Sequence, residues 1–207
     1  MVIPTRVSFA ATSLAIAVGL CIAVPARASA IINGDFETGD LSGWVATGNL
    51  YVAPTPYYGV TDPAYGTRVA AFNGGNGPTD GILSQSITTE IGANYVLAFN
   101  YAVTTNGNQS ITAFIDDDMG NNLTSTVASS TTSTLAQFTL GFTAVSANTT
   151  IKFEDLASND TTNQDGVIDN VSVTAVPEPG SMALLGFVAT GLVATRRLSR
   201  SSVLQQD

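Results

Sequence analysis

The stretch from Asn94 to Val103 alternates apolar side chains with strict two-residue spacing, and no other feature limits the fold of this chain as tightly. Extended, it places Tyr95, Leu97, Phe99, Tyr101 and Val103 on one face and Val96, Ala98, Asn100 and Ala102 on the other. Shorter segments repeat the pattern. Gln137 to Thr143 points Phe138, Leu140 and Phe142 one way, and Thr149 to Leu156 does the same with Ile151 and Phe153. Ile111 to Ile115 and Leu123 to Val127 flank Asp116-Asp117-Asp118-Met119-Gly120-Asn121-Asn122 as a hairpin, and Val167 to Ala175 closes the series. Weaker strands are expected at Tyr51 to Ala53, Arg68 to Phe72 and Gly81 to Ile87. Clusters of Gly, Asn, Asp, Thr and Ser separate them, and no segment has a 3.6-residue period. Eight to ten strands at this spacing predict an all-β jelly-roll β-sandwich.

The ends of the chain follow a different logic. Residues 1–30 carry Arg6, an apolar stretch from Val7 to Val24, and the small triplet Ala28-Ser29-Ala30. This is the layout of a secretory signal peptide, with Ala28 and Ala30 flanking the cleavage position before Ile31. Cys21 follows Leu20, where a lipoprotein signal wants a small residue. At the other end, the prolines of Val176-Pro177-Glu178-Pro179-Gly180 can continue neither helix nor strand. An uncharged apolar run follows, and as a helix from Pro177 to Thr195 it would be about 28 Å long against a hydrocarbon core of about 30 Å. Arg196, Arg197 and Arg200 would then stay on the cytoplasmic side of the membrane. The expected layout is residues 1–30 as signal peptide, 31–175 as sandwich, 176–200 as a segment holding one transmembrane helix at about 180–195, and 201–207 as a cytoplasmic tail.

The order of a Val-Pro-Glu-Pro turn, an apolar span and an Arg pair resembles the PEP-CTERM sorting signal. The resemblance implies recognition of Val176 to Gly180 and of Arg196 and Arg197 by an exosortase, a membrane transpeptidase. It also implies transient residence in the inner membrane and release to the cell surface or extracellular matrix.

Composition narrows what the body can do. Residues 31–176 hold 14 acidic side chains against Arg68 and Lys152 alone, a net charge of −12. Such a surface repels phosphate backbones and anionic lipids, so nucleic-acid binding is disfavoured. The chain has no His, and its single Cys lies within the signal peptide. Disulfides, thiolate catalysis, His-based triads and Cys/His zinc sites are therefore excluded. Carboxylates, amides, hydroxyls and aromatic rings remain, which suits calcium, sugars or a glycosidase carboxylate pair. The expectation is a non-enzymatic structural or adhesive protein; the alternative is a carbohydrate-binding module attached to exopolysaccharide.

The first residues of the body, Ile31-Ile32-Asn33-Gly34-Asp35-Phe36-Glu37-Thr38-Gly39 and on to Trp44, resemble the opening of carbohydrate-binding modules and other galactose-binding-like jelly rolls. Ile168-Asp169-Asn170-Val171 resembles their last strand. The resemblance implies that the two ends meet, and that Glu37 and Asp169, aided by Asp35 or the Asn33 carbonyl, hold a structural calcium. By strict alternation Asp169 shares a face with Val167, Val171 and Val173, where a carboxylate is costly unless paired or bound to a cation. The other reading places Asp169 at the strand mouth, hydrogen-bonded to the Asn33-Gly34 turn.

Three further groups carry two readings each. Asn163, Asp165 and Gly166 imitate the middle of an EF-hand loop, yet Thr161 and Ser172 occupy positions that need Asp and Glu, so an Asp-Gly turn accounts for them. Asp116 to Asp118 read as a solvated turn before a cation or catalytic site. Tyr51, Tyr57, Tyr58 and Tyr65, near Phe72 and three prolines, either line a glycan groove or fill the core. The paired threonines follow no fixed repeat, which argues against ice binding.

Overall fold

The computed structural model describes residues 31–61, 64, 66–74, 77–156 and 165–177. Within them ten strands form two five-stranded sheets packed face to face. The strands are β1 (Val45–Thr47), β2 (Leu50–Pro54), β3 (Arg68–Phe72), β4 (Ile82–Thr88) and β5 (Asn94–Val103), followed by β6 (Gln109–Asp116), β7 (Asn122–Ser130), β8 (Ala136–Thr143), β9 (Asn148–Asp155) and β10 (Gly166–Ala175). One sheet runs β1-β4-β9-β6-β7 and the other β2-β3-β10-β5-β8, with every neighbouring pair antiparallel. The expected jelly-roll sandwich is the observed fold. β1 had no sequence signature, because all three of its residues are exposed and no apolar alternation marks it.

Alternation explains the core. Tyr95, Leu97, Phe99 and Tyr101 of β5 point inward and meet Leu83, Ile111, Ile115, Ile151 and Phe153 of the facing sheet. Phe99 contacts Phe153 edge-on at 4.9 Å between centroids, and Phe138 stacks on Phe99 at 5.8 Å. Trp44 lies between Phe36, at 5.9 Å, and Phe153, at 6.3 Å. Trp44 and Phe72 are thus core residues.

The opening turn fastens the first residues to the last strand. The Val171 N–H donates to the Gly34 carbonyl at 2.8 Å, and a Cβ on Gly34 would overlap the Val171 carbonyl oxygen. Asn33 holds the turn together: its amide donates to the carbonyls of Asp40 and Ser42, and its own carbonyl accepts the Trp44 indole N–H at 3.0 Å. Asn33 has φ 52°, a conformation Asn tolerates better than most residues. The two ends do meet, through backbone atoms.

β10 departs from strict alternation. Its register against β5 shifts between Asp169 and Ser172, with Asn170 at φ 49°. This is a β-bulge, which inserts one residue and inverts the phase of everything beyond it. Ile168, Val171 and Val173 consequently face the main core, whereas Val167 packs in a second apolar cluster on the opposite side of the sheet. Asp169, two residues from Val167 and ahead of the bulge, shares that outer side. The expected face shared by Val167, Asp169, Val171 and Val173 is therefore split in two.

Candidate tyrosine site on the outer sheet face

The outer side of β2, β3, β10 and β5 is unusually apolar for a sandwich surface. Ala53, Val69, Ala71, Ala102 and Val167 form a buried cluster there, closed over by Tyr57 and Val60. Small side chains on three strands let the segment after β2 lie directly on the sheet. That segment turns back on itself: Tyr57 and Val60 exchange backbone hydrogen bonds at 2.9 and 2.8 Å around Tyr58 and Gly59. Both central residues have positive φ, 40° and 93°, as a two-residue type I′ turn demands. The first central place normally takes Asn, Asp or Gly; a bulky ring there costs energy that the fold must offset.

Tyrosine hydroxyls and one carboxylate form a chain inward from this turn. The Tyr57 hydroxyl donates to Asp165 Oδ2 at 2.5 Å, and the Tyr51 and Tyr57 hydroxyls lie 2.5 Å apart. A phenol has one proton, and that of Tyr57 goes to Asp165, so Tyr51 is the donor in the second bond. Tyr51 thus keeps acceptor capacity on its exposed side. Asp165 is fixed by two further bonds: its N–H donates to Thr104 Oγ1 at 2.7 Å, and its carbonyl accepts the Thr104 N–H at 2.9 Å. Burial raises the Asp165 carboxyl above the usual carboxylate range while the Tyr57 bond opposes the shift. Burial first, then Asp165, pushes the Tyr57 hydroxyl far up, so it stays protonated.

The three rings touch. Tyr51 meets Tyr57 edge-on at 6.2 Å, and Tyr58 meets Tyr57 edge-on at 4.8 Å. Tyr57 is buried, whereas Tyr51 and Tyr58 are 41% and 66% exposed. The structure therefore assembles three of the four tyrosines singled out by sequence, with Tyr57 as the inner support and two rings open to solvent. Tyr65 lies outside the described residues. Sequence reading did not anticipate Asp165 or Thr104, since Asp165 had the appearance of a simple Asp-Gly turn before β10.

The other candidates have structural tasks. Both oxygens of Glu37 accept hydrogen bonds at the start of β3, from the Thr67 N–H at 2.7 Å, the Arg68 N–H at 2.8 Å and the Thr67 hydroxyl at 3.1 Å. The Thr67 backbone bond in particular holds its carboxyl below the usual range. Asp35 is exposed and accepts the Glu37 N–H. Asp169 is fully buried and accepts the Asn170 N–H at 2.6 Å. Calcium wants a shell of acceptor oxygens, and the atoms around Glu37 are donors. Among the described residues no three Asp or Glu side chains converge as metal ligands would. Asp117 organises its own hairpin, accepting from the Asn121 amide side chain and the Asn121 and Met119 N–H groups, which holds its carboxyl low. Asp116 pairs with Lys152 at 3.6 Å, and Lys152 lies 4.3 Å over the Phe114 ring.

Ala28, Ala30, Glu178, Pro179, Gly180, Arg196 and Arg197 lie outside the described residues, as do the expected signal peptide and membrane helix. Val176 and Pro177 are described and exposed just beyond β10. Among the described residues no helix is long and apolar enough to cross a membrane.

Comparison with known proteins bears on both parts of the chain. The profile of the family described as protein of unknown function (DUF642) matches residues 69–174, and the PEP-CTERM protein-sorting motif matches residues 175–197. No curated protein sequence matches. Among solved structures, a Family 16 Carbohydrate Binding Module-2 aligns over 70% of this chain and 98% of its own, with 19% identity and a TM-score of 0.50. The N-terminal CBM22-1-CBM22-2 tandem domain from Paenibacillus barcinonensis Xyn10C aligns over 72% of this chain and 46% of its own, with 12% identity and a TM-score of 0.51. The enzymatically active domain of Bacteriophage CBA120 tailspike protein 4 aligns over 70% of this chain, with 16% identity and a TM-score of 0.50, and the chain spans only 21% of its length. At these identities the likeness shows the fold alone.

Proposed function

This chain belongs to the DUF642 family, and we propose that it is a non-catalytic glycan-binding protein of the cell surface or extracellular matrix. Its PEP-CTERM motif marks an exported protein processed by exosortase. Under this reading exosortase cuts near Pro177 to Gly180, the sandwich is the cargo, and Tyr51, Tyr57 and Tyr58 form the face that holds matrix polysaccharide.

One observation carries the reading: Tyr58 stands 66% exposed at a left-handed position where Asn or Gly would be easier. Its edge-on ring contact with Tyr57 is small beside the strain of a bulky side chain at positive φ, which supports an outward use. An open tyrosine face matches the C–H face of a pyranose, and the neighbouring Tyr51 hydroxyl offers an acceptor to a sugar hydroxyl. Solved structures that share the fold include proteins named as carbohydrate-binding modules. The absence of catalysis is supported by the inward carboxylates, which already have structural partners: Tyr57 for Asp165, the Leu156 N–H for Asp155 and the Asn170 N–H for Asp169.

The test combines affinity with stability. A glycan array that includes the exopolysaccharide of the producing cells is probed with the chain and with Tyr58→Asn. Binding is expected for the parent and a loss of about tenfold for the variant, equivalent to about 1.4 kcal/mol. Tyr58→Asn should meanwhile fold as well as the parent. Relief of the left-handed backbone gains about 1 kcal/mol, and the lost edge contact with Tyr57, discounted for exposure, costs about 0.5 kcal/mol. No binding to any glycan by the parent, or equal binding by the variant, would reject the site.

A further inference from the structure

Charge is distributed very unevenly over the sandwich. From Ile91 to Ile151 the only charged residues are Asp116, Asp117 and Asp118 at one hairpin tip, although the body as a whole carries −12. These residues build β5, β6, β7 and β8, and the fold places β7 and β8 as edge strands, one in each sheet. Apart from that acidic tip, whose Asp118 N–H donates to Ser146 beyond the end of β8, one flank of a strongly acidic molecule is therefore free of charge along its strands.

The edges on the two flanks differ in kind. On the opposite side, β1 has three residues, and β2 has five and ends in Pro54. Short strands and proline are the usual guards against edge-to-edge pairing. β8 has eight residues, A-Q-F-T-L-G-F-T, with no charge and no proline, and among the described residues it pairs with β5 alone. Its core-facing Phe138 and Leu140 are only half-buried, and among the described residues no further strand covers that side. Ile91 and Val145, exposed by 67% and 54%, flank the end of β8 where Ala144 pairs with Gly92 and Ala93. β7 is the poorer edge: its register places Thr124 and Thr126 opposite Ile115 and Ala113, so its inward side is polar.

We propose that β8 is a homotypic docking strand, which pairs antiparallel with β8 of a second copy of this chain and fuses two five-stranded sheets into one of ten strands. A second copy is the occupant that the charges select. Two bodies of −12 repel wherever acidic surface meets acidic surface, and this flank lets them approach without doing so. The strand is also self-complementary. With Leu140 opposite its own copy, Phe138 faces Phe142 of the second chain twice, once on each side of the dyad, forming aromatic cross-strand pairs. The pairing is independent of glycan binding, and Tyr51 and Tyr58 lie on the face of the sheet away from these inward rings.

The experiment is cysteine cross-linking in the full chain, exported by its cells, with Cys21 replaced by Ser so that one introduced thiol is the only one. Thr139→Cys on β8 is expected to give covalent dimer with a short bis-maleimide, each thiolate adding to one maleimide, and Thr47→Cys on β1 to give none. Adding Gln137→Lys, an exposed edge charge that leaves the melting temperature unchanged, should cut the dimer yield at least tenfold. Raising salt from about 0.1 M to about 1 M shortens the screening length from about 10 Å to about 3 Å and should increase the yield. Equal reaction at Thr47→Cys and Thr139→Cys, indifference to Gln137→Lys, or a yield that falls with salt would each overturn the proposal.

Discussion

Tyr57→Phe isolates the polar chain beneath the candidate site, because it removes one oxygen and preserves the ring that covers Ala53, Val69 and Ala71. The lost oxygen makes two bonds. The bond to Asp165 is made to a carboxylate that is 4% exposed, and such a charge-assisted bond contributes about 1.5–3 kcal/mol. The bond from Tyr51 is neutral, and its donor, 41% exposed, can turn to water, so its loss costs about 0.5 kcal/mol. The expected destabilisation near neutral pH is about 2–3 kcal/mol. Its pH dependence follows from the carboxyl. Burial raises the folded pKa of Asp165, and loss of the Tyr57 bond, which opposed that shift, raises it further. An acid whose folded pKa is raised favours the fold when protonated and loses that contribution as pH rises through the folded pKa. The gap between parent and variant should therefore be widest at neutral pH and shrink to about 1 kcal/mol at acid pH, once the Asp165 carboxyl is protonated. Urea unfolding of both proteins at the two pH values measures the gap directly, and the other carboxylates cancel in the difference. A loss under about 0.5 kcal/mol at neutral pH, or one of equal size at both, would refute the assignment of a buried ionised Asp165 held by Tyr57.

The remaining predictions concern the opening turn. Gly34→Ala pushes a methyl into the Val171 carbonyl and breaks the bond between the first turn and the last strand; a loss of about 4 kcal/mol is expected in chemical denaturation, and Ala tolerated at that position would contradict the docking described. Glu37→Ala removes the acceptor at the start of β3 and should cost about 1 kcal/mol. Because the Thr67 and Arg68 N–H groups lower the folded pKa of Glu37, its contribution is present above the unfolded pKa of about 4.3 and disappears as pH falls through the folded value, which a melting series between neutral and acid pH will show. Chelation of calcium should leave the melting temperature unchanged, given that donors surround Glu37; a drop that Asp169→Ala abolishes would instead assign the metal to these carboxylates.

Much of the fold was legible along the chain because a strand announces itself locally. Period-two alternation placed β5, β8 and β9 within a residue or two, and turn clusters separated them. That the Asn33-Gly34 and Asp169-Asn170 stretches meet followed from their resemblance to the first and last segments of carbohydrate-binding modules, and the backbone bond between Gly34 and Val171 bears it out. β1 escaped because an exposed edge strand of three residues has no apolar face to alternate. Asp169 was placed on the wrong side because the bulge at Asn170 is a property of pairing: only opposite β5 does one extra residue reverse the phase.

By itself the sequence determined the strand order along the chain, the sorting motif at its end, the absence of thiol and imidazole chemistry, and the tyrosine-rich composition of one loop. These follow from local spacing or from composition, and neither depends on where the chain goes next. Tertiary structure alone decided the site. Tyr57 and Asp165 are 108 positions apart and meet only because β3 and β10 are neighbours, with small side chains between the turn and the sheet. The same packing drew a run of sequence charged only at Asp116 to Asp118 into one flank and left β8 at its edge, since which strand ends a sheet is fixed by the pairing of all the others.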